Sequence, residues 1–139
     1  MFFAVMTAVV ASGCIEEPLQ YGDISFSGRL EVMAPDYYTD MKMDNAGYMN
    51  VTKYVGMQRY VGSQQMSASR LDILKGLVMN SDFFELKDSY VDWDVDNGTS
   101  YILDIMLGNR SNKVLCYEEC PESALAIRHI IEGYWGHAL

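Results

Sequence analysis

The stretch Ile24-Ser25-Phe26-Ser27-Gly28-Arg29-Leu30-Glu31-Val32 decides the fold. Ile24, Phe26, Gly28, Leu30 and Val32 alternate with Ser25, Ser27, Arg29 and Glu31. Successive strand side chains point to opposite faces, so this period of two predicts a strand with one face in a core and the other in water. Pro35-Asp36 breaks it. From Tyr37 the alternation resumes, with Tyr37, Thr39, Met41 and Met43 on one side and Tyr38, Asp40, Lys42 and Asp44 on the other. Asp44-Asn45-Ala46-Gly47 reads as a turn, and Tyr48 to Val55, rich in Tyr, Val and Thr, as the returning strand. Gly56 to Met66 is ambiguous. There Tyr54-Val55-Gly56 recurs as Tyr60-Val61-Gly62, and a single echo is not a repeat architecture.

Further along, Ser69-Arg70-Leu71-Asp72 has the form of a capping box, with Ser69 as N-cap. Leu71, Leu74, Leu77 and Val78 then share one helical face, and Asn80-Ser81 ends the helix. Phe83-Phe84-Glu85-Leu86 is a short apolar segment suited to docking on the core. Tyr101 to Leu107 reads as a strand, Gly108 to Asn112 as a loop and Lys113 to Tyr117 as the hairpin partner. Pro121 suits the first turn of a last helix, whose core side is Leu125, Ile127, Ile130, Ile131, Tyr134 and Trp135. The order strands, helix, strands, helix with short connections predicts an α+β fold: an antiparallel sheet of hairpins with two helices packed on one face.

The chain has 139 residues, half of them apolar and 21% charged, which is ordinary for one folded domain. Its 19 carboxylates outnumber 10 Lys and Arg, for a net charge of -9. That balance argues against nucleic acid and against electrostatic binding to anionic lipid, since both need clustered cations.

Met1 to Gly13 carries no charge, and its run of Phe, Ala, Val and Met is too short to span a membrane. Small residues then precede a cysteine in Ala11-Ser12-Gly13-Cys14. This resembles a lipobox, the processing site of prokaryotic lipoproteins, with Ala11 where that family usually has Leu. The resemblance implies a signal peptide over 1–13, lipidation at Cys14, a tether over 14–22 and a single domain over 23–139. The expected location is then extracytoplasmic, anchored to a membrane through lipid. Phe83-Phe84-x-Leu86-Lys87-Asp88-x-Tyr90, followed by a hairpin containing Tyr101 and a helix opened by Pro121, resembles an uncharacterised family of small prokaryotic lipoprotein domains over roughly residues 66 to 135. That likeness implies export and a similar fold, and it carries no activity.

The candidate chemistry is sparse. Cys116 and Cys120 lie in Cys-Tyr-Glu-Glu-Cys-Pro. In an oxidising compartment this is most simply a disulfide, with thiol-disulfide exchange the alternative. Asp92, Asp94 and Asp96 resemble the opening of a calcium loop, where oxygens at alternate positions wrap a hard cation. The loop then departs from that pattern, with Asn97 where glycine is wanted and Leu103 where a glutamate is required. The same residues also read as a strand edge, with Val91, Trp93 and Val95 facing the core. Met41 and Met43, with Met33 and Met49 near, suggest core packing ahead of a thioether site for copper. His129 and Glu132, three apart on a helix, lack a partner motif, and no Gly-x-Ser-x-Gly elbow or phosphate-cradling glycine loop occurs. Tyr37, Tyr38, Tyr48 and Tyr54 fall on or near strands and offer rigid contact area with polar tips. The expectation is a non-enzymatic module that uses its sheet to bind a protein or cell-wall ligand.

Overall fold

A computed structural model describes residues 18–135; the expected signal peptide, Cys14 and His137 lie outside the described residues. The decisive strand forms as β1 (Phe26–Met33). It pairs antiparallel with β2 (Tyr38–Met43) on one side, and β3 (Tyr48–Val55) and β4 (Gln58–Gln65) continue outward as hairpins. On its other side β1 pairs with β6 (Ser100–Leu107), which turns into β7 (Arg110–Tyr117). A three-residue strand, β5 (Ser89–Val91), runs parallel to β7 at the far edge. The sheet has seven strands in the order β4-β3-β2-β1-β6-β7-β5.

Register turns the alternation into a core. One row across the sheet reads Val51, Met41, Leu30, Leu103, Val114, and all five side chains are buried. Helix α1 (Ala68–Asn80) adds Leu71, Leu74 and Val78. A 3-10 turn (Phe83–Glu85) adds Phe83, and helix α2 (Glu122–Trp135) adds Ala124, Ile127 and Ile131. Met41, Met43 and Met49 sit inside this cluster as adaptable filler.

Several expectations are corrected. The molecule is a strand-dominated, mixed seven-stranded sheet with two helices, not an antiparallel sheet of hairpins with two helices packed on one face. The β1–β6 pair and the parallel β5–β7 pair join distant residues, and no local pattern announces them. The ambiguous Gly56 to Met66 is largely β4, reached through a two-residue turn whose Gly56 has φ +61°. A glycine at the first turn position is what such a hairpin requires. Trp93 does not face a core: it is 85% exposed, because β5 ends at Val91.

Helix α1 also starts differently. Ser67 caps it, accepting from the Arg70 amide at 3.3 Å. Asp72 is drawn away from a capping box to accept from the Tyr21 amide at 2.7 Å and the Gln20 amide at 3.2 Å. Lys75, only 3% exposed, donates to the carbonyls of Ile24 (2.7 Å) and Tyr21 (3.3 Å). A buried ammonium needs such partners. Together these residues clamp the segment that enters β1.

Candidate functional site

The sheet face opposite the core row carries the polar half of each strand. One row reads Asn50, Lys42, Arg29, Asp104, Lys113, and the next reads Val61, Thr52, Asp40, Glu31, Ile102, Leu115. Arg29 grips Asp40 diagonally with two hydrogen bonds, Nε to Oδ1 at 2.9 Å and Nη2 to Oδ2 at 3.1 Å. A forked guanidinium matches a carboxylate in this way. The Tyr38 hydroxyl donates to Glu31 Oε1 at 2.7 Å. Burial and then this hydrogen bond push the Tyr38 phenol up to about 12, because both favour its neutral form. The carboxylate of Asp40 holds the Arg29 guanidinium more firmly protonated than usual.

Beside this fixed network the Tyr38 and Tyr54 rings lie 6.0 Å apart, tilted by 33°. Tyr54 is 41% exposed, Val61 61% and Met106 48%. The face therefore presents large apolar groups around a pinned ionic centre. Tyr48 projects from the start of β3 on the same face, in register with Gln65. Tyr37 does not join them. It packs against the core cluster with the Lys53 ammonium 4.9 Å from its ring centre, and burial raises its phenol. Three of the four singled-out tyrosines thus share a face, and the fourth serves the other side.

Cys116 and Cys120 lie at disulfide distance, with Cα atoms 5.1 Å apart, and join the end of β7 to the approach of α2. Next to them is an open cavity of about 460 Å³ lined by Thr99, Tyr101, Glu118, Leu125 and Arg128. The Arg128 guanidinium lies over the Tyr101 ring at 3.6 Å, with Nε 3.3 Å from Glu132 Oε1. That nitrogen is buried and makes no aligned hydrogen bond. Two carboxylates, Glu118 and Glu132, accompany this single cation, so the cavity offers an anion little net attraction.

The acidic run is not gathered into a site. Asp92 Oδ1 accepts from the Asp94 amide at 3.0 Å, a local turn bond, and no group of three acidic, His or Cys side chains is placed to hold a metal ion among the described residues. His129 borders a shallow depression with Arg70 and Ile130, while Glu132 pairs with Arg128 instead. Sequence reasoning missed Val61, Lys75 and Arg128. Val61 lay in the segment without a decisive period, although the Gly56-Met57 turn was a usable hairpin signal. Lys75 and Arg128 gave none, since their roles depend on distant residues.

Compared with known proteins, the chain matches no family model and no curated sequence. The resemblance over residues 66 to 135 therefore rests on its motif residues alone.

Proposed function

We propose that the chain is an exported lipoprotein, anchored to the outer side of a membrane through Cys14, whose domain is a non-enzymatic binding module. It meets a protein or cell-wall partner with the open face of its sheet. The observation that carries this reading is that face itself. Tyr54, Val61 and Met106 stand exposed on a rigid sheet around the pinned Arg29–Asp40 and Tyr38–Glu31 contacts. Exposed tyrosine and methionine with an ordered polar centre are what a contact surface needs, because little side-chain freedom remains to be lost on binding. The uncharged run before Cys14 supports the anchor.

Two measurements test it. Metabolic labelling with a radiolabelled fatty acid should mark the wild-type chain and leave C14S unlabelled and released from the membrane fraction. A photo-crosslinking residue placed at Tyr54 or Met106 in intact cells should give adducts of discrete mass, while the same residue at the exposed helix position Ile73 should not. Equal labelling of wild type and C14S overturns the anchor. No adduct, or the same adducts from all three positions, overturns the binding face.

A further inference from the structure

The two edges of the sheet are managed very differently. One ends in β5, three residues long. The other ends in β4, eight residues with no proline, no carboxylate and a single charge, Arg59. Short edges, charges and prolines are the usual guards against strand-to-strand association, and β4 has almost none of them. Among the described residues nothing hydrogen-bonds to its outer side.

The hairpin register fixes which groups are free. The Met66 amide donates to the Gly47 carbonyl at 2.9 Å, which marks that pair as hydrogen-bonded. Such pairs recur at every second position of an antiparallel ladder, so Met49–Gln64, Val51–Gly62, Lys53–Tyr60 and Val55–Gln58 are bonded too. The amides and carbonyls of Arg59, Val61, Ser63 and Gln65 therefore point outward.

We propose that β4 is a self-pairing edge, through which two copies of the chain join antiparallel about a two-fold axis at Val61. All outward groups belong to odd-numbered residues, and a two-fold axis at Val61, Gly62 or Ser63 keeps at least three hydrogen-bonded pairs within the strand. Side chains select the first. Val61 then faces Val61, Arg59 faces Ser63, and Tyr60 of one copy lies across Gly62 of the other. An aromatic over an edge glycine covers backbone that glycine leaves bare. Centring on Gly62 sets Gly62 against Gly62 and leaves Val61 opposite Ser63. The chosen register gives about six main-chain hydrogen bonds from the Arg59–Ser63 and Val61–Val61 pairs, against about eight for an axis at Gly62, so the choice rests on the side chains and not on the number of bonds. A second copy suits this edge because the chain is strongly acidic while the edge is not: two copies meet without opposing carboxylates along the seam. Exposed Val55, Met57 and Tyr60 flank it. The main-chain bonds of the pairing run along the sheet's edge, the Val61 side chain at the axis belongs to the open face, and sedimentation reads the pairing whether or not that face binds a partner.

The full chain, held in mild detergent, is followed by sedimentation velocity up to about 1 mM, the weak end of specific association. Wild type should dimerise, more tightly as salt screens repulsion between two chains of charge -9. V61K places two ammonium groups against each other at the axis and should weaken the dimer at least about tenfold. S63E faces Arg59 of the other copy at both symmetric positions and should tighten the dimer about three- to tenfold at fixed salt. Both positions are exposed, so the fold tolerates both changes. A wild-type chain that stays monomeric throughout, a dimer indifferent to V61K, or one that S63E does not tighten each overturns the proposal.

Discussion

Replacing Gly76 by alanine should fail to stabilise helix α1, and should succeed once Tyr21 is truncated. Alanine is favoured over glycine in a helix interior by about 1 kcal/mol. At Gly76, however, a Cβ would lie 2.8 Å from Tyr21 Cε2 and 3.4 Å from Cδ2. The ring cannot swing aside freely. Asn80 Nδ2 donates to its hydroxyl at 3.0 Å, and the Tyr21 backbone is bonded to Asp72 and Lys75. Overpacking of this kind costs about 1–3 kcal/mol. The net effect of G76A is therefore between about zero and 2 kcal/mol of destabilisation, from the propensity gain set against that cost. In the Y21A background only the propensity gain of about 1 kcal/mol remains. Urea unfolding of wild type, G76A, Y21A and the double variant, followed by far-UV circular dichroism, gives the coupling directly. Equal stabilisation by G76A in both backgrounds would refute the clamp.

Breaking the Cys116–Cys120 link with C120S should lower stability by about 2 kcal/mol, the chain-entropy value for so short a loop; an unchanged urea midpoint counts against a formed bridge. Tyr38 gives a pH prediction. Its folded pKa is raised from 10.0 to about 12, so its contribution is complete below pH 10 and is lost as pH climbs toward 12. Y38F should flatten that part of the alkaline limb of stability, and coincident limbs for the two chains would show that Tyr38 is not the group responsible. Millimolar calcium should leave Tm where chelator leaves it, because Asp92, Asp94 and Asp96 are not gathered; a rise in Tm would mean the loop closes on the ion.

The strands that carry their own signal were legible. In β1, β2, β3 and β6 the alternation places Leu30, Met41, Val51 and Leu103 in one buried row, as the period of two requires. The pairing partners were not legible, because the β1–β6 contact bridges more than sixty residues and the three residues of β5 are too few to show a period. Trp93 illustrates the opposite error. Its neighbours alternate as a strand would, yet the chain turns at Asp92 through local hydrogen bonds, and the indole is left in water. At the candidate site the tyrosines were visible as residues. The alternation already sets Tyr37 on the side opposite Tyr38, whereas the gathering of Tyr38, Tyr48 and Tyr54 on one face depends on the register between strands.

Helix α1 shows why a modest local signal can still be decisive. Leu71, Leu74 and Val78 face the core, and a second stripe of Asp72, Gly76 and Asn80, each four residues apart, faces the segment around Tyr21. A helix that gives one stripe to the sheet and another to an incoming chain has little hydrophobic contrast around its circumference, so its pattern reads weakly although both stripes are occupied. On the proposed anchoring, any pull from Cys14 enters the fold at this second stripe. The clamp places the Asp72, Lys75 and Asn80 contacts between the tether and β1, so those polar bonds must yield before load reaches the central strand. Weakening them through D72N or G76A should therefore free the tether while the sheet, whose register rests on β1, keeps its open face unchanged.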